Sequence, residues 1–181
     1  MPLIKLPYFH QPEEMYCQPT CYKIVTNYTI DKFHIKQKKL SMRKIAKTIG
    51  TERDWGTVPG NVEFINNLLD KSRPKMQFQR QISGRYTEIT AEIDDERPII
   101  AWIDPQKIVN DDVWHVVVIN GYDPDLRKIF FVDPLYKKEE YWQREAESSH
   151  FMEERLGPKG MLIKLIIGGT GQQTLINLGE E

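Results

Sequence analysis

Gln11-Pro12-Glu13-Glu14-Met15-Tyr16-Cys17-Gln18-Pro19-Thr20-Cys21, running directly into Tyr22-Lys23-Ile24-Val25-Thr26-Asn27-Tyr28, is the stretch on which the reading of this chain turns. From Cys17 onward, Cys17, Cys21, Ile24, Val25 and Tyr28 recur at helical spacing and share one face of an expected helix. Pro19 suits the first turn of that helix, where a missing N–H costs nothing. Cys17 therefore sits at a helix start, where unpaired N–H groups and the helix dipole favour a thiolate over a thiol. Gln11, a few residues upstream, is placed to bring its amide beside the sulfur as an oxyanion donor. The stretch reads as a nucleophile site, with Cys21 expected to pack in the core.

The rest of the chain sets the frame for that helix. Its 181 residues suit one domain, taken here as residues 1–167, with a tail over 168–181. Hydrophobic residues make up 40% and charged residues 28%, the composition of a globular protein with a real core. Lys and Arg number 25 against 26 Asp and Glu, a net charge of −1 that offers no electrostatic case for nucleic acid or a membrane surface. The basic cluster Lys36, Lys38, Lys39, Arg43 and Lys44 reads as a solvated face. Two cysteines four residues apart on one helix meet disulfide geometry badly. Without a signal-like start or a membrane-length apolar run, the expected compartment is the cytoplasm, where a thiol stays reduced.

In chain order, residues 2–10 predict a short strand or extended lead-in, and the Cys17 helix is expected to end before Thr29–Asp31. A second helix begins with Ser41 as N-cap and stops at Gly50. A third covers Asn61 to Leu69, and a fourth Tyr86 to Glu96. Strands are expected over Met76–Gln79, Pro98–Ile103, Val113–Ile119, Lys128–Val132 and Gly160–Ile167. Lys137–Glu147 reads as helix or loop, and Ser148 or Ser149 as the cap of a short helix through Phe151, Met152 and Leu156. Helices first and strands afterwards predict an α+β packing with an antiparallel sheet.

A Cys nucleophile needs a base, usually His, and the base needs an orienter. His115 leads the apolar run Val116-Val117-Val118-Ile119, and Asp133 closes Ile129-Phe130-Phe131-Val132. If these strands form a hairpin around a turn near 120–127, the start of one lies beside the end of the other, and His115 and Asp133 become neighbours. Asp123 and Asp104 are competitors for the orienter, although Asp123 falls in the turn and is expected to hold its backbone. A zinc set of His10, Cys17, Cys21 and His115 is the alternative, but the cysteine spacing is wrong for the usual knuckle. His34 and His150 read as surface, and Trp55, Trp102 and Trp114 as core or cleft walls.

Taken together, Gln11 to Tyr28, the His115 strand, the Asp133-Pro134 pair and the Pro98-Ile99-Ile100-Ala101-Trp102 strand resemble the bacteriocin-processing, double-glycine cysteine peptidases of the papain-like superfamily. The resemblance covers most of residues 1–165. It implies a papain-like α+β fold, Cys17 as nucleophile, His115 as general base, Asp133 as orienter and Gln11 as oxyanion donor. A peptide or protein substrate follows, met in part by Gln18 and Trp114, with no metal or other cofactor. The family usually has Gly after the nucleophile, where this chain has Gln18. That departure motivates a second reading, a catalytically silent peptide-binding domain; thiol acyl transfer is a third. Gly168-Gly169 is similar to the sites such peptidases cut, but a glycine pair before a tail is more often a turn.

Overall fold

The computed structural model describes residues 1–54, 56–57, 62–81, 85–104, 115–156 and 161–168. Trp55, Trp114, Gly169 and the tail beyond it lie outside the described residues, as does the 113–114 start expected for the third long strand. Helices α1 (Cys17–Lys32), α2 (Met42–Thr48), α3 (Val62–Leu69) and α4 (Tyr86–Asp94) accompany strands β1 (Met76–Gln81), β2 (Ile99–Ile103), β3 (His115–Asp123), β4 (Lys128–Val132), β5 (Gln143–Glu147) and β6 (Met161–Ile167). The strands form one sheet in the order β1-β6-β2-β3-β4-β5, and every neighbouring pair is antiparallel. This is an α+β architecture of the papain-like type.

The core sits where helices meet the middle of the sheet. All five residues of β2 are buried, as are Val116 to Gly121 of β3, so both faces of the central strands are covered. Helices α1 and α4 both pack against this pair of strands, while α3 packs on β1 and α2 on α1. The expectation of one buried face on α1 understates its position. Gln18, Thr20, Thr26, Asn27 and Thr29 are buried with Cys21, Ile24 and Val25, which makes α1 a central helix enclosed on several sides. Two of the buried polar groups are bonded within the protein: Thr20 Oγ1 donates to the Tyr16 carbonyl (2.6 Å), and Asn27 Oδ1 accepts from the Leu40 N–H (3.2 Å).

Helix ends follow the residues that stop them. Helix α1 runs on to Lys32, past its expected end, because the stop lies at His34, which takes a left-handed φ of 51°. The Ile35 N–H then reaches back to the Ile30 carbonyl at 3.0 Å, closing the last turn. Helix α2 starts and stops as expected. Ser41 accepts from the Lys44 N–H, and Gly50 at φ 68° lets the Thr51 N–H reach the Ala46 carbonyl.

Of the two readings of residues 2–10, the lead-in holds and the strand does not; Leu3 makes an isolated bridge to Gly121, with Ile4 N–H to the Asn120 carbonyl at 2.7 Å. Three other expectations are corrected. Strand β3 does not turn at Asn120 but continues to Asp123, and the turn is 124–127, held by Asp123 Oδ1 accepting the Asp125 and Leu126 N–H groups at 2.9 Å. Gln143–Glu147, read as helix or loop, is edge strand β5, with only Ala146 buried. The short helix Ser148–His150 is capped by the Glu147 carboxylate, which accepts from Ser149 and His150 N–H, and not by a serine.

Candidate functional site

The site forms where the start of α1 meets the start of β3 and the end of β4. Cys17 is the first residue of α1 and is half-buried, at a helix start whose first N–H groups have no intrahelical acceptor. Two contacts hold that end of the helix to the sheet. Cys21, one turn further on and fully buried, places its thiol 3.3 Å from the Val116 carbonyl, the residue after His115. Gln11 N–H donates to the Pro134 carbonyl at 2.9 Å, tying the approach to Cys17 to the residue after Asp133. Tyr8 adds a bond from its hydroxyl to the Tyr136 carbonyl at 3.1 Å.

His115 and Asp133 meet as the hairpin argument expects. His115 Nε2 lies 2.7 Å from Asp133 Oδ1, and both side chains are largely shielded. The same carboxylate oxygen accepts the Leu135 N–H at 3.0 Å, and the Asp133 N–H donates to the Trp142 carbonyl, so Asp133 is fixed from both sides. Nε2 is committed to Asp133, and the Cys17 sulfur at the start of α1 acts on the same ring, favouring its protonated form. Burial pushes the imidazole toward neutrality, but the bonds and charges of Asp133 and Cys17 outweigh it and raise its pKa from 6.5 to about 10. Asp133 therefore favours the protonated form of the ring. The Cys21 thiol is pushed well up by burial first, then by the charges of Cys17 and Asp133, and stays protonated. It is a core residue, as read from its spacing.

The two glutamines lie differently. Gln11 is buried, and its amide nitrogen donates to the carbonyls of Glu13 (3.0 Å) and Glu14 (2.6 Å). Its Oε1 is buried without a partner among the described residues. The side chain thus props up the turn that leads into Cys17. Gln18, expected to meet substrate, is 1% exposed and donates to the Tyr22 hydroxyl at 3.3 Å inside the helix packing. No outward-facing amide remains at that position. Trp114 lies outside the described residues. Leu135 is the neighbour that sequence reasoning passed over; its N–H steadies Asp133, and its side chain is exposed beside the site. A backbone donor leaves no side-chain signal to read.

His10 and the cysteines do not gather with His115 as a metal set: among the described residues no group of three or more His, Cys, Asp or Glu side chains could hold an ion. Nor does any described helix have the length and apolar character to cross a membrane.

A cysteine at a central helix start, facing a histidine on an antiparallel sheet with a carboxylate behind it, defines the papain-like class of cysteine peptidase folds. The sequence profile of the Peptidase_C39 like family matches residues 3–155, and the chain belongs to that family. The membership carries a cysteine peptidase-like role. No curated protein matches the chain.

Proposed function

We propose that the protein is a thiol peptidase or amidase acting on a peptide substrate, with Cys17 as nucleophile, His115 as general base and acid, and Asp133 as orienter. What carries the reading is the His115 ring, held at 2.7 Å by Asp133, with Cys17 at the start of α1 favouring the protonated ring. An imidazolium beside a sulfur at a helix start favours the thiolate, the nucleophilic form. The sulfur attacks the substrate carbonyl carbon, forming the S–C bond while the carbonyl electrons move to oxygen. The Cys17 N–H and the Gln11 amide receive that oxyanion. His115 returns its proton to the leaving nitrogen as the C–N bond breaks, and then takes one from the water that releases the acyl group.

Gln11 can join only by giving up one of its bonds to the 13 or 14 carbonyl, an exchange that a full negative charge favours over a neutral acceptor. That same engagement supports the second reading, a silent domain that binds peptides in this cleft. Thiol acyl transfer uses the same residues, with an amine in place of water. Gln18, buried against Tyr22, belongs to helix packing under every version. The test is the pH dependence of Cys17 alkylation by iodoacetamide in the wild type and in His115→Ala. Fast alkylation well below pH 8, lost in the variant, is the expected result. An ordinary thiol profile in both proteins would discard the catalytic reading and leave the binding one.

A further inference from the structure

We infer that the pocket beside the start of α1 takes an acidic side chain of the peptide substrate, with Arg43 and Lys47 as its selective rim; the inference rests on the peptidase reading above. The cavity, about 410 Å³, opens between the turn before Cys17 and helix α2. Pro12, Met42 and Ala46 give it an apolar wall, Tyr16 an aromatic one, and Arg43 and Lys47 stand in its lining as exposed cations. No carboxylate among the described residues lines it. Of the acids next to lining residues in sequence, Glu13 beside Pro12 is turned to Arg53 at 3.1 Å, and Glu52 beside Thr51 is not itself in the lining. Arg43 and Lys47 have no carboxylate partner among the described residues.

The two cations are four residues apart on α2, so they face the same way, and like charges at that spacing repel. A chain that leaves this repulsion uncompensated at the mouth of an apolar pocket has built a receptor for an anion on an aliphatic stem. Glutamate fits: two methylenes against Met42 and Ala46, and a carboxylate at the rim. The pocket is close enough to Cys17 to read a substrate residue. Tyr16 is the residue directly before Cys17, about 3.8 Å away along the chain. Thr20, on the same side of α1 as Tyr16, has its hydroxyl 3.7 Å from Met42 Sδ, which docks the α2 wall to the helix. At about 100° per residue, the pocket lies round the shoulder of α1 from the thiol, within reach of a side chain a few residues from the scissile bond.

The test is protection of Cys17 from alkylation, which reads binding whether or not the bound peptide is cleaved. Octapeptides carry one Glu walked through the sequence, against matched Gln and Lys peptides, each with an amidated C-terminus and with a free acid. Each protein is read against its own unprotected rate. The expected result is a half-protecting concentration about five- to tenfold lower for Glu than for Gln at one position. That preference should be lost in Arg43→Glu/Lys47→Glu and kept in the charge control Lys71→Glu. Equal protection by Glu and Gln, a preference that survives the double reversal, one that follows the free C-terminus, or no protection at all would each overturn the inference. The peptidase reading is judged separately, by the His115-dependent pH profile of the unprotected rate.

Discussion

Replacing Asp133 by Asn removes a charge and almost no volume, and it isolates what the carboxylate does to His115. Asparagine keeps an oxygen for the Leu135 N–H, so the turn after β4 retains its backbone bond. What is lost is the charge-assisted contact at 2.7 Å. Raising the imidazole from 6.5 to about 10 corresponds to roughly 5 kcal/mol of preference for the protonated ring, shared between Asp133 and Cys17 and already net of the burial cost. Removing one partner of such a shielded pair costs about 3–5 kcal/mol, so a loss of about 3 kcal/mol at neutral pH is expected. The sign follows from the direction of the shift. A group whose folded-state pKa is raised contributes its full stability below its unfolded value of 6.5 and loses it as pH rises through about 10. Urea unfolding of both proteins from about pH 6 to about pH 10 should therefore show a gap that is widest at the acid end and narrows with rising pH. The His115 ring proton, followed by NMR, should titrate near 10 in the wild type and several pH units lower in the variant. A wild-type ring titrating near 6.5, or a stability gap constant across that range, would refute the reasoning.

Three further outcomes are expected. Gly121→Ala places a methyl 2.7 Å from Leu3 Cδ1 and 2.8 Å from the Pro2 carbonyl, so the N-terminal segment must shift; a loss of about 1–3 kcal/mol in thermal or urea unfolding checks it. Gln143→Leu breaks the reciprocal amide pair with Asn120 (2.9 and 3.0 Å) and the bond to the Phe131 carbonyl, leaving Asn120 short of partners in the core; about 1–3 kcal/mol should be lost, read as a lower urea midpoint at unchanged slope. Native protein treated with iodoacetamide should take one label per chain, at Cys17, and two after unfolding, because the Cys21 thiol is fully buried and held protonated; mass spectrometry of both samples decides.

Much of the framework was legible in the residues for local reasons. Ser41 and Gly50 bracket α2 because a hydroxyl and a left-handed glycine solve backbone problems that any chain has at those places. The apolar runs of β2 and β3 are continuous because both of their faces are covered. What escaped reading depends on partners distant in sequence. Strand β5 carries Gln143, Arg144 and Glu145, which have no strand character of their own; it is a strand because β4 offers an edge to pair with. The helical spacing of α1 marks one apolar face, and only its enclosure on several sides shows that its polar residues are buried as well. Gln11 was read as an amide beside the sulfur, but which carbonyls that amide meets depends on the fold of the 13–14 turn.

The pairing of His115 with Asp133 depends on a detail that strand patterns do not carry. Near the 124–127 turn, β3 and β4 pair as Asp123 with Lys128, Tyr122 with Ile129 and Gly121 with Phe130. Beyond Asn120 the register shifts by one, giving Ile119 with Phe131 and Val118 with Val132. Side chains alternate between faces along a strand, so a one-residue slip changes which face every later residue shares with its partner. Continued in the first register, the ladder would set Asp133 opposite Val118 and turn its side chain to the face away from His115. In the shifted register Asp133 falls opposite Val117, and His115, two residues along, is on that same face. The bulge at Asn120 is thus what aims the carboxylate at the imidazole. It is held accordingly: Asn120 is buried, donates to the Ile4 carbonyl and to Gln143, and is followed by a glycine that lets residues 2–3 lie directly against the strand. The N-terminal segment therefore reaches the site at both ends, through the bulge at Ile4 and through Gln11 at Pro134, and fixes the geometry of the pair as well as the approach to Cys17.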